Sequence, residues 1–300
     1  MKKLSGLLAC LLVVSALSPV ALARKEPSNS MDIPAKQLYK VGLFKGTGIQ
    51  EDGTPEFALY KAATRSQAAI MFVRLLGKET EALEENLDSP FTDLSPVAAP
   101  YVGYLYHNGL ANGITENFYG SQQYVTSNQY LTFVLRALGY RDPDDFTVAT
   151  AVDFGESIGL LDLCQSGEGE DGSWQRAGMA CASFNALSTE IKGTSTLLCD
   201  AVGVDMFSYN DFKNLVTIKG PTVENDRGDI NKTYTVKVNM SYEDWRDADV
   251  DLLYWYMRRL GKEYNPCEED TYLIFNYDVR GESGGYVFGY PDGRTIASVD

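Results

Sequence analysis

One histidine, His107, stands in the 300 residues, and that scarcity removes most nucleophilic catalysis at the outset. Ser-His-Asp and Cys-His systems need an imidazole beside the nucleophile to take its proton, and here only one position supplies it. Basic residues are also short: 26 Lys and Arg face 41 Asp and Glu, a formal charge of −15. Nonspecific nucleic-acid binding relies on basic patches that neutralise phosphate, so no nucleic acid is expected as a partner. No Gly-x-x-x-x-Gly-Lys-Ser/Thr loop is present to cradle a phosphate. The five cysteines follow no zinc-ligand spacing, and no metal or cofactor is expected.

Apolar runs long enough to span a bilayer are missing too. The one sustained run, "LLACLLVVSAL", follows Lys2 and Lys3 and leads to "ALA", Ala21 to Ala23, the order of a signal peptide over 1–23 cleaved before Arg24. "LLAC", Leu7 to Cys10, has the look of a lipoprotein cleavage site, but cutting there would leave almost no apolar core, and the later cleavage is preferred. Loss of Lys2 and Lys3 takes the formal charge from −15 to −17. A secreted protein without membrane contact after processing is expected. Four cysteines remain, Cys164, Cys181, Cys199 and Cys267, and they allow three full pairings. Buried thiols and a bridge are both open; Cys164 with Cys181 is the first choice of bridge, because it would staple the acidic loop "QSGEGEDGS".

What the chain does hold is repetition. "TRSQAAIMFVRLLG", Thr64 to Gly77, returns as "TSNQYLTFVLRALG", Thr126 to Gly139. Thr64 with Gln67, and Thr126 with Gln129, have the spacing of a capping box. Ala68, Met71, Phe72, Leu75 and Leu76, and Tyr130, Phe133, Val134, Ala137 and Leu138, then fall on one helix face. Arg74 and Arg136 sit in the last turn, beside the negative helix end, and Gly77 and Gly139 stand where a left-handed residue ends a helix. "LYKVGLFKG", Leu38 to Gly46, likewise matches "LYHNGLANG", Leu105 to Gly113, and each leads through a loop bearing Phe57 or Phe118. A third, degraded copy reads from "AVDFGESIGLL", Ala151 to Leu161, into "WQRAGMACASFNAL", Trp174 to Leu187, with Gln175 and Gly178 in place of the box. Met179, Ala182, Ser183, Ala186 and Leu187 keep its apolar face, with one serine intruding.

Three such units, together with "PFTDL", Pro90 to Leu94, resemble the S-layer homology (SLH) domain over about residues 31–193. The resemblance implies a mainly α body, three helix-loop-helix repeats in a pseudo-threefold bundle, that binds a secondary cell-wall polysaccharide and anchors the protein at a bacterial surface. It implies ligand-binding roles for Arg65 and Arg176, at helix starts that favour anions, and for Asp93. Ser127 stands where the second repeat should carry its arginine. The competing role for the two arginines is structural, bracing adjacent repeats against an acid such as Asp93.

The expected organisation is repeat 1 over 31–80, repeat 2 over 89–141, a degenerate repeat 3 over 145–193, a connecting segment over 194–232 that includes the linker-like "KGPTVENDRGDINK", and a small α+β domain over 233–300. That last unit reads as strand (Thr233 to Met240), helix (Ser241 to Gly261), then two strands. Its acids, Glu243, Asp244, Asp247, Asp249 and Asp251, and its aromatic run, Tyr254, Trp255 and Tyr256, leave open a minimal wall-tethered hydrolase or carbohydrate-processing enzyme. Seventy residues rarely build the cleft such chemistry needs, so a solvated first turn and core rings are preferred, and no catalytic residue is assigned. Arg227 to Asp229 form an Arg-Gly-Asp triplet too short to imply adhesion. The unit is expected to be displayed, or to bind an unidentified protein or glycan.

Overall fold

Both Thr-x-x-Gln boxes close. Thr64 Oγ1 accepts from Gln67 N–H at 3.3 Å while Gln67 Oε1 accepts from Thr64 N–H at 3.1 Å, opening a helix over Arg65–Leu75. Thr126 and Gln129 do the same, at 3.3 Å each way, for the helix Ser127–Ala137. The third, Arg176–Leu187, starts after Gln175 with no side-chain cap. Gly77 and Gly139 adopt φ of 65° and 80° just beyond the first two helices. This computed structural model describes residues 32–164, 172–226, 229–239, 248–264, 271–279, 282–289 and 295–299. The expected signal peptide, the acids Glu243, Asp244 and Asp247, Arg227, and most of the acidic loop after Cys164 lie outside them.

In chain order the helices are α1 (Ile33–Lys40), α2 (Arg65–Leu75), α3 (Glu79–Glu85), α4 (Ala99–His107), α5 (Ser127–Ala137), α6 (Ala151–Ser157), α7 (Arg176–Leu187), α8 (Leu198–Ala201), α9 (Tyr209–Leu215) and α10 (Val250–Tyr264). The described part is mainly helical, with a two-residue β ladder, β1 (Gly48–Ile49) with β2 (Pro55–Glu56), and one larger sheet. Helix α4 packs on α2, α6 on α5, and α1 returns to pack on α7. The apolar stripes read from the sequence meet in one contiguous core: the rings of Phe72 and Phe133 stack at 5.5 Å, and Met179, Ala186 and Leu187 join the same cluster. Ser183, the polar intruder, is buried with its hydroxyl 2.8 Å from that of Tyr130. All twelve residues of α7 are buried, not one stripe, because neighbours cover it on every side.

The residues just before the three helix starts are joined to one another. Val125 N–H donates to Ala63 C=O at 3.0 Å, Trp174 N–H to Val125 C=O at 2.9 Å, and Ala63 N–H to Trp174 C=O at 3.4 Å. This closed ring of main-chain hydrogen bonds satisfies buried polar groups that would otherwise cost free energy.

The stretch expected as a linker is strand. β3 (Val216–Asp226) pairs antiparallel with β4 (Asp229–Val238), so the charged run folds back as a hairpin. Local composition reads as a loop; strand partners further along the chain override it. β4 pairs parallel with β5 (Thr271–Val279) across α10, and β6 (Glu282–Gly289) and β7 (Thr295–Val299) complete the sheet antiparallel, in the order β3-β4-β5-β6-β7. Gly261 does not stop α10, which continues to Tyr264. A glycine inside a helix costs only about 1 kcal/mol, and the extra turn brings Lys262 to within 3.2 Å of Asp162 and Tyr264 against Tyr234.

Between repeats 1 and 2, Glu79 at the start of α3 collects Lys45, Arg74 and Tyr101 at 2.6, 2.9 and 2.8 Å. Burial works against its ionisation, but those three donors outweigh it and hold the carboxyl at about 2 against 4.5 ordinarily. A depressed folded value gives stability that is present above the unfolded pKa and lost as the pH falls. The melting-temperature gap between wild type and Glu79→Gln should be full above pH 4.5 and close as the pH approaches 2. Thr64→Ala and Thr126→Ala should each cost about 1 kcal/mol in thermal or denaturant unfolding, whereas Gln175→Ala, without a box to lose, should cost little.

Candidate functional site: the seams between repeats

Arg65 is the first residue of α2, and its guanidinium reaches the loop that follows α4. Nε donates to Tyr119 C=O at 2.9 Å and Nη2 to Asn112 C=O at 3.2 Å, while the charge lies 4.8 Å over the Tyr119 ring. Arg176, opening α7, donates from Nε to Phe57 C=O at 3.0 Å and lies 5.2 Å over the Phe44 ring. Each arginine thus reaches a loop distant in sequence from its own helix. Both are buried, 6% and 7% exposed, and burial lowers the basicity of Arg176. A guanidinium with several fixed donors can satisfy carbonyls where an ammonium could not do so in one plane.

The backbone at these starts is committed as well. Arg65 N–H donates to Gln123 C=O at 2.8 Å and Ser66 N–H to Ser121 C=O at 3.2 Å; Arg176 N–H donates to Lys61 C=O at 3.0 Å and Ala177 N–H to Leu59 C=O at 2.9 Å. The expectation that these helix starts offer free N–H groups to an anion does not hold. Neighbouring loop carbonyls occupy the donors first, because a buried orphan donor is costly.

Asp93 is not the brace partner expected for Arg65. It forms no ion pair with Arg65; its carboxylate accepts from Tyr119 N–H at 2.8 Å and Ser121 N–H at 2.7 Å, and its own C=O accepts from Ser121 Oγ at 2.5 Å. Burial raises its carboxyl's pKa, but the Ser121 and Tyr119 amides prevail and hold it below the usual carboxylate range. Arg65 and Asp93 therefore grip the same loop from two sides, one by the Tyr119 carbonyl and one by its amide. Burial in turn pushes the Tyr119 hydroxyl up to about 12.

Tyr119 and Asn112 were not singled out by the sequence, which matched Phe57 with Phe118. The arginine contacts make Tyr119 the counterpart of Phe57, and the signal was available: each lies seven residues before its capping threonine. The neighbours of Lys61 and Gln123, whose carbonyls take the arginine amides, include two exposed rings, Tyr60 at 65% and Tyr124 at 55%. His107 ends α4 with Nε2 2.8 Å from Asp88 C=O. Asp249 receives Gln37 Nε2 at 2.8 Å and pairs with Lys40, and Trp255 and Tyr256 are buried. Cys164 and Cys181 are disulfide-bonded, and Cys199 is a buried free thiol. Among the described residues no cluster of His, Cys, Asp or Glu could hold a metal, and no helix is long and apolar enough to cross a membrane.

No known family profile matches the chain. Three curated proteins are similar to about half of it: a cell surface protein of Thermoanaerobacter kivui, 28% identical over 153 residues; the middle cell wall protein of Brevibacillus brevis, 25% over 150; and a surface layer protein of Brevibacillus choshinensis, 27% over 147. The matches cover 48%, 47% and 46% of this chain but only 19%, 14% and 13% of those proteins.

Since Arg65 is buried with two carbonyl partners, Arg65→Ala should destabilise the protein by about 2 kcal/mol, seen as a lower denaturant midpoint. Tyr124→Ala, at an exposed ring, should leave that midpoint nearly unchanged.

Proposed function

We propose that this is a noncatalytic protein of the bacterial cell envelope, secreted with a cleaved signal peptide and held noncovalently on a secondary cell-wall polysaccharide by three SLH-like repeats. The observation that carries the reading is the likeness of some 150 residues, comparable with the span of the repeats, to proteins named for the cell surface, the cell wall and the surface layer. The ring through Ala63, Val125 and Trp174, and the return of α1 onto α7, support a pseudo-threefold arrangement of the repeats. Those names are of surface proteins, which favours display over a tethered hydrolase.

In this reading Arg65, Arg176 and Asp93 shape the polymer site by fixing the loops that border each seam. Tyr60 and Tyr124, exposed beside the same loops, supply faces on which sugar rings stack. An overall charge of −15 opposes an anionic polymer, so attraction to it is local.

Sedimentation with purified cell walls, before and after chemical removal of the non-peptidoglycan polymer, tests the proposal. Binding should be present before removal and lost after it. Tyr124→Ala should weaken sedimentation several-fold with an unchanged unfolding midpoint. Equal binding to stripped walls would overturn the reading.

A further inference from the structure

Two seams carry an arginine and the third carries Ser127. Three residues after the turn glycines Gly42, Gly109 and Gly159 stand Lys45, Asn112 and Asp162, and it is the Asn112 carbonyl that receives Arg65. At the third turn other groups take over. Asn185 Nδ2 donates to Leu160 C=O at 3.1 Å and Asp162 C=O at 2.8 Å, and the Cys164–Cys181 disulfide fixes the end of the turn to α7. The turn needs holding: Leu163 has φ of 60°, a left-handed conformation that Gly46 adopts in the first repeat without a side chain to resist it.

The remaining holder comes from the far end of the chain. Arg259 of α10 places Nε 3.4 Å from Asp162 Oδ2, donates from Nη2 to Gly159 C=O at 3.4 Å, and sits 4.5 Å over the Tyr209 ring. Lys262 adds a second cation 3.2 Å from Asp162. Between these contacts and the other end of the helix, Tyr256 stacks on Phe184 of α7 at 6.1 Å and donates its hydroxyl to Phe207 C=O at 2.8 Å. At that other end Asp249 binds Gln37 and Lys40 of α1.

We infer that α10 is an intramolecular latch, in which Arg259 braces the third turn through Asp162 and Gly159 while Asp249 ties the same helix to α1. The surface formed by α1, α7, α9 and the third turn is a docking site whose partner is the chain's own C-terminal segment. The third repeat, lacking a capping box and a motif arginine before it, depends on that segment for its order. This holds whether or not the protein binds cell walls.

Hydrogen exchange on the full chain, disulfide intact, tests it. Arg259→Ala and Asp162→Ala should each speed exchange of the α6 and Gly159–Cys164 amides about tenfold, with α2 and α4 unchanged. The double variant should exceed neither single by much, since both remove one contact. Arg258→Ala, whose side chain lies over Tyr254 instead, should have no effect on the third turn. Faster exchange confined to α10, or effects of the two variants that multiply, would overturn the latch. If Arg259→Ala does not fold, Arg259→Lys with Asp162→Asn provides the same comparison: an unchanged third turn in both would overturn it equally.

Discussion

Three main-chain hydrogen bonds, among Ala63, Val125 and Trp174, constrain the whole helical body. Each residue gives its amide to one neighbour and its carbonyl to the other, so no member can move without unpairing two buried groups. Because the ring sits two residues before the first residue of α2, α5 and α7, it fixes where those helices begin and how far apart they lie. From those helix starts Arg65 reaches to Tyr119 and Asn112, and Arg176 to Phe57. Helix α1 packs on α7, which brings the beginning of the helical body beside its last long helix.

The seams show how buried charge is tolerated. Arg65 and Arg176 find carbonyls and aromatic faces in place of carboxylates, contacts that offset part of the cost of burying a charge. Asp93 is satisfied by amides in the same way. The loop holding Tyr119 is therefore polar in its interior yet has partners for its main chain on both sides. The acid-base network at Glu79 does related work between α2, α3 and α4, adding polar contacts to a short helix that also buries Ala82.

The C-terminal unit changes meaning once placed. A strand-helix-strand unit after a charged stretch reads as cargo on a tether; in the structure α10 lies against α1, α7 and α9 on one side and near β4 on the other. Trp255, Tyr256 and Leu260 are core residues of that junction, which explains why an aromatic run occurs in a helix with no catalytic partner among the described residues. Helix α7, the turn around Asp162 and the helix that covers them belong to one packing problem.

The sequence by itself determined the local pieces: the helix starts at Thr64 and Thr126, the glycine stops at Gly77 and Gly139, the apolar stripes, and the pair of helices in each unit. Those depend on contacts within a few residues, where spacing and side-chain type are sufficient information. Tertiary structure alone decided what the polar residues do. Arg65 read almost equally as a ligand group or a brace to Asp93, and became a donor to Tyr119 and Asn112; the run from Lys219 to Lys232 read as a linker or long turn, and its described residues lie in the paired strands β3 and β4. A guanidinium's partner, or a strand's, lies tens of residues away, and only the closed fold says which carbonyl is within 3 Å.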